Sequence, residues 1–189
     1  MLVYLHGFNS SPLSHKAKVL GDYMNSLGIG RLYHCPALPP EAARAIELAE
    51  ASIKGTPPSR ICWVGSSLGG FYATYLAERH GSRAVLINPA IDPHVGLKAY
   101  LGPQRNLHTG EPYVLAPDHL EGWRQLYMGT IDPRRYLLLV ETGDEVLDYR
   151  RALDRYAGAE QVVIPGGDHS LQSFAEHLSR IVRFAGLQA

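Results

Sequence analysis

The chain reads as an α/β protein: a six-stranded, mostly parallel sheet with helices on both faces. Three observations lead there. Short apolar runs alternate with longer amphipathic segments along most of the 189 residues. The pentapeptide Gly65-Ser66-Ser67-Leu68-Gly69 directly follows the apolar run Ile61-Cys62-Trp63-Val64, at the point where strand pattern gives way to helix pattern. The alternation breaks once, over residues 88–134, in a stretch rich in Pro, Gly, His and Tyr. That stretch is too long for a plain connection and reads as a small insertion over the top of the sheet, after the fourth strand.

Each element has its own signal. Residues 2–5 form a first strand. Residues 14–27 carry a helical pattern, with Ser14 placed to cap its start and Gly28 past its end. A short second strand covers 31–34. A helix over 40–54 is opened by Pro40 and closed by Gly55. The third strand covers 60–64, and the helix after it runs to about residue 80. Residues 84–87 give the fourth strand and 136–141 the fifth. A helix over 148–156, a sixth strand over 161–164 and a closing helix over 171–184 complete one domain spanning 1–189.

Composition narrows the function classes. The content is 46% hydrophobic and 19% charged, as in an ordinary globular protein. Eighteen basic residues balance eighteen acidic ones, so bulk charge gives no reason to expect a nucleic-acid partner or an anionic membrane surface. The two cysteines, Cys35 and Cys62, form no C-x-x-C unit, and neither metal nor redox chemistry is expected. No apolar run is long enough for membrane insertion, and the first residues do not read as a signal peptide. A cytoplasmic protein without a cofactor is the expectation, and the oligomeric state stays open.

The pentapeptide carries the chemistry. In a G-x-S-x-G turn the serine sits in a strained backbone conformation, and the residues two before and two after it must be small. Only Ser67 has glycine at both of those positions; Ser66 would have Val64 and Leu68. Ser67 is therefore the expected nucleophile of a hydrolase. A serine hydroxyl needs a base. His169 lies in Gly166-Gly167-Asp168-His169-Ser170, a glycine loop just past the sixth strand. His6 and His177 lack that position. The imidazole in turn needs a carboxylate. Asp144, in Glu141-Thr142-Gly143-Asp144-Glu145, stands in a turn past the fifth strand, with Glu141 and Glu145 as rivals and Asp168 too close along the chain to fold back. The order Ser67, Asp144, His169 suits a triad on this kind of sheet.

An oxyanion needs two preset N–H donors. The Leu68 N–H follows the nucleophile, and the Phe8 N–H lies in the loop His6-Gly7-Phe8-Asn9 after the first strand. Asn9, Ser10 and Ser11 read equally well as turn residues or substrate contacts. In the insertion, Tyr100, Tyr113, Trp123 and Tyr127, among Leu97, Leu101 and Leu126, form either an acyl pocket or a small core.

Several blocks in order resemble the YqiA-type esterases, a bacterial branch of the α/β-hydrolase superfamily. They are the stretch from Tyr4 to Pro12, Val64-Gly65-Ser66-Ser67-Leu68-Gly69-Gly70, Asn88-Pro89-Ala90, the stretch from Thr142 to Tyr149, and Gly166-Gly167-Asp168-His169. Tyr100-Leu101-Gly102 and Thr109-Gly110 extend the likeness into the insertion. Leu171 departs from it, where the family often has Phe. The resemblance implies a compact α/β-hydrolase fold lacking the usual first two antiparallel strands. It also implies a serine esterase for small-molecule acyl esters or thioesters, with Ser67, Asp144 and His169 as its triad. The expected activity is hydrolysis of carboxylic esters through an acyl-enzyme. An acyl thioesterase of the acyl-coenzyme A type and a non-catalytic binding module are the alternatives.

Overall fold

The computed structural model describes residues 1–187. In chain order its elements are β1 (Leu2–Leu5), α1 (His15–Ser26), β2 (Tyr33–His34), α2 (Ala42–Ala51), β3 (Cys62–Ser66), α3 (Leu68–His80) and β4 (Arg83–Ile87). The insertion follows with α4 (Pro93–Gly96), β5 (Gly102–Arg105), β6 (Pro112–Leu115) and α5 (Pro117–Gln125). The last part contains β7 (Tyr136–Glu141), α6 (Tyr149–Arg155), β8 (Glu160–Ile164) and α7 (Leu178–Phe184). Short 3₁₀ turns join several of these.

Six strands form one sheet in the order β2-β1-β3-β4-β7-β8, and every neighbouring pair is parallel. Successive side chains of a strand face opposite sides, so each strand feeds two cores. Val3, Leu5, Trp63, Leu86, Leu138 and Val140 join one cluster with Ala45 and Ile46 of α2, Leu76 of α3 and Ala152 of α6. Leu2, Tyr4, Val64, Ile87, Leu137 and Leu139 join the other with Leu20 and Met24 of α1 and Ile181 of α7. Burial on both faces is why the central strands β1, β3, β4 and β7 read as apolar runs rather than as alternation. No helix among the described residues is long and apolar enough to cross a membrane.

The chain runs from β1 out to β2, then returns to the other side of β1 for β3. Such a reversal opens a crevice at the carboxyl ends of the two central strands. The loops after β1 and β3 meet there.

Boundaries differ from the sequence reading at several places. Arg60 lies in the 3₁₀ turn Pro58–Arg60 begun by the proline pair, and β3 instead continues to Ser66, where Gly65 and Ser66 pair with Leu86 and Ile87. The helix expected from residue 40 begins at Ala42, with Glu41 at its N-cap. The helix expected over 171–184 splits: Leu171 has φ 53°, Gln172–His177 is 3₁₀, and only Leu178–Phe184 is α-helical. The N–H groups of Gln172 and Ser173 bind the Glu141 carboxylate, which orders this turn in place of helical bonds. Ser14 stands at the N-cap of α1, but its hydroxyl makes no capping bond.

The insertion contains an antiparallel hairpin, β5 on β6. It had no strong β pattern, since Gly102 and Pro103 open one strand and Pro112 the other. Contacts with the loop after β1 hold it in place. Asn9 donates to Gln104 Oε1 at 3.0 Å and accepts from the Tyr113 hydroxyl at 2.7 Å. The Leu107 N–H donates to the Asn9 carbonyl at 2.8 Å, and Asn106 Nδ2 to the Ser10 carbonyl at 2.7 Å. Asn9 thus ties the loop to the insertion.

Candidate active site

Ser67 sits between β3 and α3 with φ 54° and ψ −121°. A non-glycine residue there carries strain of about 1–3 kcal/mol that the surroundings must hold. They do so through the backbone. The Ser67 N–H donates to the Ile87 carbonyl at 3.0 Å, and its own carbonyl accepts from Gly70 and Ala90 at 2.9 and 3.0 Å. The flanking glycines are required by contact. A Cβ on Gly65 would overlap the Gly69 carbonyl, and a Cβ on Gly69 would overlap the Leu5 carbonyl. A Cβ on Gly7 would lie 3.2 Å from Ser67 Cβ, so the loop after β1 passes directly beside the serine.

That loop and the start of α3 place two N–H groups at the crevice, those of Phe8 and Leu68. Neither has a hydrogen-bond acceptor among the described residues. His6, 3% exposed, braces the loop. Its Nε2 accepts from the Leu38 N–H at 3.0 Å, which leaves Nδ1–H to donate to the Gly7 carbonyl at 3.1 Å. The Gly7 carbonyl and the Phe8 N–H belong to one peptide group, so this bond orients that N–H. Burial lowers the His6 pKa from its ordinary value, in keeping with a neutral ring.

His169 lies past β8 and meets Asp144 across the loop ends. Its Nδ1 is 2.8 Å from Asp144 Oδ2 and 3.0 Å from Oδ1. The Asp144 side chain is 1% exposed and that of His169 22%. Burial pushes the Asp144 carboxyl up. The bonds from His169 and from the N–H groups of Leu147 and Val146 outweigh burial and hold it below its ordinary value. Among the described residues, His169 Nε2 and the Ser67 hydroxyl have no hydrogen-bond partner; His169 and Ser67 line the same cavity of about 320 Å³. Catalytic hydrogen bonds are often long without substrate and tighten when it binds. The rivals of Asp144 fall elsewhere. Glu145 accepts from the His169 N–H at 3.0 Å, and Asp168 accepts from Ser170 and Gln172 within its own turn.

Two residues shape the site in a role that the sequence did not disclose. Glu141, at the end of β7, is 1% exposed. Its carboxylate accepts from the N–H groups of Asp168, Gln172 and Ser173 at 2.9–3.0 Å and from the Ser173 hydroxyl at 2.7 Å. Burial pushes its pKa up, and these bonds, Ser173 foremost, pull it below the ordinary value. Asn88, with φ 39°, donates to the carbonyls of Asp168 and His169 at 3.1 and 3.2 Å and accepts from the Glu141 N–H. Together they hold the loop that carries His169. A glutamate at a strand end and an asparagine before a proline look like turn residues in a sequence, and only their long-range partners reveal the role.

A second cavity of about 330 Å³ adjoins the first across Gly7, Phe8 and Ser10. Leu68, Leu38, Tyr72 and Tyr113 line it, together with Glu41 and Glu111. Trp123 is fully buried at its back and donates to the Tyr72 hydroxyl at 2.6 Å. The aromatic residues of the insertion therefore divide. Tyr113 and Trp123 shape this cavity, Tyr100 lies half-exposed with its ring 6.0 Å from that of Phe8, and Tyr127 packs against His94 away from it.

A parallel sheet covered on both faces, a strained serine at the turn from β3 into α3 and loops converging at its strand ends define the α/β-hydrolase fold. The backbone matches alpha/beta hydrolase domain-containing protein 10 from mouse, with a TM-score of 0.72 at 17% identity over 96% of this chain and 87% of that one. It also matches Est1E from Butyrivibrio proteoclasticus with ferulic acid bound, with a TM-score of 0.68 at 14% identity over 97% and 86%. The chain belongs to the family described as uncharacterised protein family UPF0227, whose model matches residues 1–186. A UPF0227 protein of Yersinia pseudotuberculosis is 28% identical to it over 197 aligned residues, covering 99% of both chains. This membership is consistent with the resemblance to YqiA-type esterases.

Proposed function

We propose that the protein is a serine esterase that hydrolyses small-molecule carboxylic esters through an acyl-enzyme. The observation that carries this reading is the His169–Asp144 pair opening onto the same cavity as the strained Ser67. In this reading Ser67 Oγ attacks the ester carbonyl while His169 Nε2 takes its proton. Asp144 holds Nδ1–H and stabilises the imidazolium. The negative oxygen of the tetrahedral intermediate accepts from the N–H groups of Phe8 and Leu68. One such donor is typically worth roughly 3 kcal/mol of transition-state stabilisation. His169 then returns the proton to the leaving oxygen, the alcohol departs, and a water activated by His169 releases the acid. The chemistry uses side chains and backbone throughout.

The test is Ser67→Ala assayed on p-nitrophenyl acyl esters. The expected outcome is loss of turnover with an unchanged circular dichroism spectrum. Turnover equal to wild type contradicts the assignment.

A further inference from the structure

The two cavities on either side of the loop after β1 differ in charge. Lys16 is the formally charged residue lining the one that contains Ser67 and His169, with His15 and His108 beside it, and no aspartate or glutamate lines it. The other is lined by Glu41 and Glu111 and by no lysine or arginine. The net charge of the whole chain is zero, so this is a local separation across a single loop. Tyr4, 1% exposed, and Ser14, whose Oγ is buried, form part of the wall of the cavity that holds Lys16. Lys16 is anchored, its Nζ donating to the Ser170 carbonyl at 2.7 Å. Burial lowers the Lys16 pKa from its ordinary value, while Asp168, Glu141 and Asp144, none of which lines the cavity, act the other way and favour its charged form.

The mechanism assigns an end of the substrate to each cavity. The leaving group takes its proton from His169, so it lies in the cavity that His169 lines. The acyl chain then extends into the other, where Leu38, Tyr72 and Tyr113 offer apolar and aromatic surface and the two glutamates disfavour an anion. We propose that the cavity lined by Lys16, His15, His108 and Ser14 is a subsite for an anionic leaving group. The substrate class is an ester of an uncharged acyl chain with an alcohol bearing a carboxylate or phosphate. This rests on the esterase reading and adds to it which half of the substrate carries charge.

The test compares p-nitrophenyl butyrate with the same ester carrying a carboxylate ortho to the nitro group, each corrected for its rate of hydroxide hydrolysis. The readout is the ratio of kcat/KM, anionic over neutral. A structural loss of the Lys16–Ser170 contact lowers both rates and leaves the ratio unmoved. Wild type is expected to favour the anionic ester. Lys16→Met is expected to lower the ratio about three- to fivefold, the scale of a partly exposed charge contact. Lys16→Arg is expected to keep most of the ratio, and His108→Gln to lower it about twofold, as a weaker rim contact. High salt is expected to shrink the wild-type preference. A ratio that stays within twofold of wild type in Lys16→Met, with the neutral ester still turned over, overturns the subsite. Wild-type protein that leaves both esters intact overturns the esterase reading and the subsite with it.

Discussion

The turn that carries Ser67 and the loop that carries His169 present their side chains to one cavity, but they are held by opposite means. The serine turn is held by backbone against backbone. Gly65 meets the Gly69 carbonyl, Gly69 meets the Leu5 carbonyl, and Ser67 bonds to main-chain groups of Ile87, Gly70 and Ala90. The histidine loop has one backbone tie, the Gly143 N–H donating to the Gly166 carbonyl at 2.8 Å, and is otherwise gripped by side chains from distant elements: Glu141 from β7, Asn88 from the end of β4 and Lys16 from α1. Steric exclusion leaves a local trace in a sequence, because only glycine fits. A loop gripped from outside leaves none, because its partners are far away in the chain.

The largest expected effect breaks this comparison at its steric side. Gly69→Ala drives a Cβ into the Leu5 carbonyl and is expected to cost on the order of 4 kcal/mol or to prevent folding, read by urea unfolding. Gly166 in the histidine loop has φ 76° but open space around it. Gly166→Ala is therefore expected to cost only about 1–2 kcal/mol, the strain of a left-handed backbone. Equal costs at the two glycines would mean that steric exclusion does not set these two positions apart.

Asp144→Asn comes next and separates orientation from fold. It keeps the shape of the buried side chain and is expected to lower kcat about 10³–10⁴-fold. Stability is expected to change far less than in Gly69→Ala.

Glu141→Gln tests the grip on the histidine loop. One amide oxygen cannot serve all four donors, and a buried unsatisfied donor costs about 1–3 kcal/mol. The variant is expected to lose about that much stability and to lower kcat more than it raises KM. Its pH profile sharpens the point. The pKa values of Glu141 and Asp144 are held below their ordinary values of 4.5 and 3.8 in the folded protein. A depressed value means the contribution is complete above the ordinary value and is lost as pH falls through the folded one. His6, depressed from 6.5, acts in the same direction at higher pH. These groups are thus expected to lower wild-type stability in two steps, one below about pH 6.5 and a second below about pH 4.5. Glu141→Gln is expected to flatten the second fall and leave the first, read by urea midpoints at each pH.

The same contrast accounts for what the sequence disclosed. The four central strands were legible because burial on both faces makes them nearly unbroken apolar runs, as in Leu2–Leu5 and residues 136–140. Ser67 was legible through its two glycines. His169 and Asp144 were legible because their loops follow consecutive strands, and the structure brings their side chains to 2.8 Å. The hairpin β5–β6 was not, since its proline-rich strands are stabilised through Asn9 rather than by β propensity. Nor was the role of Glu141, whose four donors lie 27–32 residues further along the chain.

The central claim is that Ser67 is a nucleophile activated by this assembly. Intact-mass spectrometry after exposure to a fluorophosphonate probe tests it most directly. The account predicts one adduct on wild type, located on Ser67, and none on folded Ser67→Ala. Folded wild-type protein that takes up no label, or a Ser67→Ala variant labelled as fully as wild type, would contradict it.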